Sequence, residues 1–152
     1  MLFTFGINSG LRISDILALN VENVKNKTYV QIYEQKTGKF KKFPLNFMLQ
    51  NMLNKYIKDK NDSDPLFQSV LKNRLDRVSA YKILKTACMK ANMEEKIGTH
   101  TLRKTFGYHH YKQFKDVAIL QKIFNHSTPE VTLRYIGIEQ DSVDNSYKKF
   151  CL

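Results

Sequence analysis

Apolar residues recur at helical spacing along most of this chain and alternate with polar ones in a single stretch. The opening "MLFTFGI" starts abruptly inside an apolar run, as a helix entered partway would, and breaks at Ser9-Gly10. We therefore expect this chain to be part of a larger protein. "SGLRISDILAL" then puts Ile13, Ile16 and Leu17 on one helical face. In "KTYVQIYEQKTGKFKKFPL" the period changes to two at Tyr29, Gln31 and Tyr33. The strand turns at Thr37-Gly38 and returns through Phe40 to Pro44, the pattern of a β-hairpin.

Leu49, Met52, Leu53, Tyr56 and Ile57 fit an amphipathic helix, and so do Ala80, Ile83, Leu84, Ala87 and Cys88. The polar "KDKNDSDPLF" between them reads as a loop. In the last third, a helix starts near Thr99 to Thr101, and another opens with Asp116 as its cap. That second helix stops at Asn125, a residue that tolerates the left-handed backbone. Ser127 or Thr128, with Pro129 and Glu130, restarts a short helix. "EQDSVDNSYKKF" is expected as a tail helix. The fold class is mainly α with a small antiparallel β-sheet (α+β), in one domain: a core of residues 1–138 and a C-terminal tail of residues 139–152. There is no internal repeat and no low-complexity segment.

With 152 residues, 42% apolar and 26% charged, the chain can bury a core without disulfides or metals. Its two cysteines, Cys88 and Cys151, have no metal or redox spacing, and no apolar run is long enough to cross a bilayer. A reduced, cytoplasmic protein is expected. Charge narrows the function further, because 25 Lys and Arg against 14 Asp and Glu leave a net +11. A lysine-rich solubility coat would account for part of that excess. An anionic membrane fits less well, since the lysines are not gathered on one amphipathic helix beside Trp or Phe anchors. Nucleic acid is the leading partner.

Several residues are candidates for chemistry, each ordinary alone. Arg12 precedes Asp15 by three positions, the spacing of a surface ion pair, and His100 stands in the same relation to Arg103. Lys36 sits at the shoulder of the hairpin turn, His126 follows a helix stop, and Tyr135 lies near the end of a short helix. Their order is the signal. "GLRISDILAL", "QKTGKFKKFPL", "HTLRKT" and "NHSTPEVTLRYIG" together resemble the catalytic domain of the tyrosine recombinases, in particular the integrases of temperate phages and conjugative transposons. The likeness runs from about Leu2 to Ile138. One departure is Asn125, where the family usually has glycine before the late histidine.

The resemblance implies a site-specific recombinase that integrates or excises DNA through a 3′-phosphotyrosyl intermediate. It implies that Arg12 and Arg103 hold the scissile phosphate with His126, and that Tyr135 is the nucleophile. Lys36 corresponds to the hairpin lysine, His100 begins the His-x-x-Arg motif, and Asp15 matches the acidic residue that supports the first arginine. It also implies that the family's N-terminal core-binding domain is absent from this chain and that the tail packs onto a neighbouring subunit.

Those residue types suit the chemistry. Two guanidiniums stay charged at any working pH and clamp nonbridging oxygens with forked hydrogen bonds. A phenol must lose its proton as it attacks, and a neighbouring imidazole can accept it. A lysine on the hairpin can protonate the departing 5′ oxygen. No cofactor and no metal are expected, because the arginines supply the positive charge a metal would bring; adjacent His109 and His110 read as ordinary helix residues. Two other readings stay open: a type IB topoisomerase, and a non-catalytic DNA-binding remnant of a mobile element.

Overall fold

Helix α1 (Leu2–Ser9) forms where Leu2, Phe5, Gly6 and Ser9 turn toward the interior. A Cβ on Gly6 would lie 2.5 Å from Leu102 Cδ1, so only glycine lets α1 approach the long helix α5 (Thr99–Phe114) this closely. Residues 1–93 and 97–150 are described in this computed structural model. Gly10, at φ 61°, ends α1 in the left-handed conformation and redirects the chain into α2 (Ile13–Ala18). The expected face of α2, Ile13, Ile16 and Leu17, is buried.

The alternating stretch forms the expected hairpin. Strand β1 (Tyr29–Tyr33) pairs antiparallel with β2 (Phe40–Pro44), with Tyr33 opposite Phe40 and Ile32 opposite Lys41. Gly38, at φ 66°, supplies the turn. Tyr29, Gln31 and Tyr33 occupy the exposed side of β1, whereas Val30 is fully buried and Ile32 half-buried. The inward side of β2 carries Lys41 and Phe43, so a lysine points toward the domain interior.

Helix α3 (Phe47–Tyr56) packs through Leu49 and Leu53, continued by Ile57 just past its end; Met52, expected on that face, is exposed. The loop after it is anchored by Leu66 and Phe67 and pinned by Arg74, which donates to the carbonyls of Leu17 and Leu19. In α4 (Arg77–Lys90) only Ala80 and Leu84 are buried, and Ile83 and Ala87 face outward. This helix rests along one edge on α2 and α5, so half of its apolar stripe finds no partner among the described residues.

Helices α5, α6 (Val117–Phe124) and α7 (Pro129–Ile136) begin where their caps predict. Asp116 accepts from the Ile119 N–H at 2.9 Å, and Thr128 accepts from the Val131 N–H at 3.3 Å. Asn125 takes the left-handed conformation at φ 53°, ψ 47°. The tail forms α8 (Ile138–Lys149), which touches α7 and pairs Asp141 with Lys112 at 3.8 Å. It buries nothing: Val143, Tyr147 and Phe150 are all exposed. The tail's last two residues, Cys151 and Leu152, lie outside the described residues. No helix of the described residues is long and apolar enough to cross a membrane.

Two apolar clusters result. The larger joins Phe5, Leu11, Ile16, Val30, Leu49 and Leu66; the smaller is Leu120, Phe124 and Ile136, with Phe106, Leu133 and Tyr135 against it. Arg103 ties the two regions together.

Candidate active site

The chain between Gly10 and α2 places Arg12 just before the helix, in an extended conformation at φ −71°, ψ 151°. The expected pairing of Arg12 with Asp15 does not form, because an i, i+3 contact requires both residues on the helical spiral. Arg12 turns instead to Glu34, with Nη1 2.9 Å from Oε2. The N–H lies off the line to the oxygen, so this contact is an ion pair more than an aligned hydrogen bond. Asp15 is buried and accepts from the backbone N–H of Gln35 at 2.9 Å. It therefore supports the hairpin directly, and the arginine only through that loop.

Lys36 stands exposed on the turn, between two residues that are tied down. Gln35 is held by Asp15, and the Thr37 hydroxyl donates to Glu34 Oε2 at 2.7 Å. The hairpin is also fastened to the end of α6. Lys39 Nζ donates to Asn125 Oδ1 at 2.9 Å, and Lys41 Nζ donates to the Ile123 carbonyl at 2.7 Å. Asn125 thus takes the left-handed backbone that glycine also tolerates and adds a side-chain contact that glycine could not make.

On α5, Arg103 is 2% exposed. Its Nη1 donates to the Gly10 carbonyl at 2.7 Å and its Nη2 to the Phe124 carbonyl at 2.8 Å, with the guanidinium 4.4 Å above the Phe124 ring. The same guanidinium lies close enough to the Tyr135 phenol to favour its ionised form. His100 lies one turn earlier, at the exposed start of the helix. The Tyr135 ring meets Phe124 edge-on at 5.5 Å and His126 at 5.2 Å. His126 Nδ1 is 3.1 Å from the hydroxyl of fully buried Thr132. The same hydroxyl is a donor to the Thr128 carbonyl at 3.3 Å, so which ring nitrogen of neutral His126 carries the N–H follows from which of these two acceptors takes its one proton.

All six residues, Arg12, Lys36, His100, Arg103, His126 and Tyr135, line one open cleft of about 450 Å³. A somewhat larger cavity of about 510 Å³, beside Phe43, Phe106 and Ile123, contains none of them. Among the described residues no cluster of three or more His, Cys, Asp or Glu could hold a metal ion.

The electrostatics follow from burial and crowded positive charge. Burial lowers His126, assisted by Arg103 and Arg12, and His100, although its outer edge is exposed, is lowered by loss of water on its inner side together with Arg77 and Arg103. Both imidazoles are therefore neutral at physiological pH, and His100 can accept a proton. Burial raises the Tyr135 phenol above its ordinary value, although Arg103 and Arg12 pull the other way. The phenol accordingly rests protonated. Burial, with help from the Arg103 charge, brings Lys41 down to about 8, while Glu34 opposes the shift. Burial alone would raise Glu34, but its bonds from Thr37 and Arg12 outweigh that and hold it low.

Glu34, Lys41 and Thr132 belong to this arrangement but to none of the sequence motifs. Glu34 had one visible sign, as the lone acidic residue between Lys25 and Lys42. Nothing local marks the other two. Chemically, the cleft offers two guanidiniums, an ammonium, two neutral imidazoles and a phenol, a set suited to gripping an oxyanion while a hydroxyl stands beside it.

The phage integrase family matches residues 1–141 of this chain. A probable integrase/recombinase, YoeC, from Bacillus subtilis (strain 168) is 49% identical over 150 residues, covering 98% of this chain and 82% of that protein. The fold matches the XerA recombinase crystal structure with a TM-score of 0.78 at 20% identity, over 95% of this chain and 54% of XerA. It also matches the XerH site-specific recombinase, solved as a post-cleavage complex on its palindromic difH substrate, at a TM-score of 0.73 and 20% identity. That match covers 97% of this chain and 44% of XerH, so the chain spans about half the length of both solved recombinases. Fold and sequence agree, and the chain belongs to the phage integrase family of tyrosine recombinases.

Proposed function

We propose that this chain is the catalytic domain of a site-specific recombinase that cuts and rejoins double-stranded DNA through a 3′-phosphotyrosyl intermediate. One observation carries the reading: six residues from four separate stretches of sequence converge on a single cleft where Tyr135 is the only phenol among the described residues. The net charge of +11 supports a polyanionic partner, and the XerH relative was solved on DNA.

In this reading Arg12, Arg103 and His126 bind the nonbridging oxygens of the scissile phosphate. The Tyr135 oxygen forms a bond to phosphorus as the bond to the 5′ oxygen breaks. His100 takes the phenolic proton, and Lys36 gives one to the departing 5′ oxygen. Asp15 supports the turn that carries Lys36. The products are a phosphotyrosyl ester and a free 5′-hydroxyl, and attack on that ester by a hydroxyl from another strand rejoins the DNA. Retaining the phosphoester separates recombination from hydrolysis. No metal takes part, and the protein works at the nucleoid.

A duplex nicked just beyond the cleavage site tests this, because the short leaving strand diffuses away and traps the ester. The protein is expected to give a covalent band on a denaturing gel in the presence of EDTA. On paired sites it should then give recombinant product. No band with any site drawn from the host element's ends would overturn catalysis and favour a DNA-binding remnant. A band with relaxation but no recombinant would favour a topoisomerase.

The tail is proposed to act between subunits. Val143, Tyr147 and Phe150 form an exposed apolar stripe on a helix that is too short to be stable alone. Deleting residues 139–152 should leave a folded domain that binds one site and assembles poorly on two. Sedimentation on a two-site duplex reads this directly, and equal assembly by both forms would sink the idea.

A further inference from the structure

Both neighbours of Lys36 are tied to buried carboxylates, and the two carboxylates differ in what else they hold. Asp15 accepts only from the Gln35 N–H among the described residues. Glu34, 3% exposed, accepts from the Thr37 hydroxyl at 2.7 Å, lies 2.9 Å from Arg12 Nη1, and has Lys41 Nζ at 4.0 Å from its other oxygen. Its backbone closes the same turn, for its carbonyl accepts from the Gly38 N–H at 2.7 Å and its N–H donates to the Lys39 carbonyl at 2.9 Å. One residue thus touches the guanidinium facing the cleft, the loop bearing Lys36 and the buried lysine beneath them.

We propose that Glu34 is a positioning residue for strand cleavage: its carboxylate fixes the distance between the Arg12 guanidinium and the Lys36 turn. The inference rests on the phosphodiester-cleavage reading above. In that reading Arg12 grips the phosphate and Lys36 protonates the oxygen that leaves it, so the two must act on atoms one bond apart. Asp15 joins α2 to the residue before Lys36 through the Gln35 N–H, and Glu34 makes the link that reaches the Arg12 guanidinium itself. A buried carboxylate without partners is costly, and it persists here because three cationic or hydroxyl groups surround it. Glutamine at this place keeps the shape and still accepts from Thr37, but it no longer attracts Arg12. Valine at Thr37, an exposed position, removes the carboxylate's link to the turn, while the backbone bonds of Glu34 and its ion pair with Arg12 stay in place.

The test compares the full chain with Glu34→Gln, Thr37→Val and Lys36→Ala on two nicked duplexes. One has an ordinary scissile phosphate, and the other has sulfur in the 5′-bridging position. Sulfur leaves without needing a proton, so it bypasses Lys36 and nothing else. Lys36→Ala should lose covalent complex on the phosphate and regain most of it on sulfur. Thr37→Val should follow the same pattern. Glu34→Gln should slow trapping by about tenfold or more on the phosphate and be only partly restored by sulfur, since the Arg12 share of the loss remains. Glu34→Gln trapping at the parent rate on both duplexes would overturn the proposal.

A measurement without DNA keeps the two readings apart. In nitrogen-15 spectra, Thr37→Val should move the Arg12 Nε–H resonance, because Glu34 connects the two. An unmoved Arg12 signal would overturn the coupling whatever the enzyme does. If the unaltered protein traps neither duplex, the cleavage reading fails, and the spectra still decide whether Glu34 links the turn to Arg12.

Discussion

Tyr135→Phe is expected to bind DNA nearly as the unaltered protein does and to form no covalent complex with it. The ring stays packed edge-on against Phe124 and His126, so the short helix α7 keeps its place. Removal of the oxygen removes the proposed attacking atom, and among the described residues no other phenol lines the cleft. Affinity should fall by at most about tenfold, since a neutral hydrogen bond contributes only ~0.5–1.5 kcal/mol. Gel retardation reads the binding, and a denaturing gel after incubation with the nicked duplex reads the ester. A covalent band that survives the substitution would end the nucleophile assignment.

Arg103→Lys should be the next most damaging change, for a structural and a chemical reason at once. Lysine keeps the charge but presents one compact ammonium where the guanidinium spans two carbonyls, of Gly10 and Phe124. One of those buried carbonyls loses its partner, which costs about 1–3 kcal/mol and should lower the melting temperature by several degrees. In the proposed mechanism the donors that Arg103 offers the phosphate also lose their fixed directions. Loss of one aligned donor slows reactions of this kind by about 10²–10³-fold, so trapping should fall at least that far. Thermal melting and the trapping rate are to be measured on the same preparation. A variant that melts lower yet cleaves within about threefold of the parent would make Arg103 structural rather than catalytic.

The hairpin shows where reading a sequence stops. Its existence, its turn at Gly38 and the position of Lys36 on that turn were all legible, because they depend on alternation and on one glycine's backbone freedom. Which face of β1 turns inward was not. The tyrosines are its larger apolar residues, yet the face that packs is Val30 and Ile32, and Lys41 across from Ile32 is drawn in with them. Helix α4 misleads in the same way, for its stripe is complete in sequence and half used in the fold. Periodicity reports which residues could share a face, and neighbours decide how much of it is covered.

The sequence by itself determined the features that depend on residues within a few positions of one another. These are the cap at Asp116, a helix start at Ser127 or Thr128, the break at Gly10, the stop at Asn125 and the hairpin turn, whereas the six cleft residues were named by the resemblance of the ordered motifs. Only the tertiary structure decided what those residues hold. Arg103 binds carbonyls 93 and 21 positions away, Lys41 reaches one 82 positions away, and Arg12 leaves nearby Asp15 for Glu34. Local conformation follows from backbone sterics and short-range hydrogen bonds, which the order of residues specifies directly. The partner of a buried charge follows from which elements pack together and what they enclose, and that is settled when the whole chain closes around it.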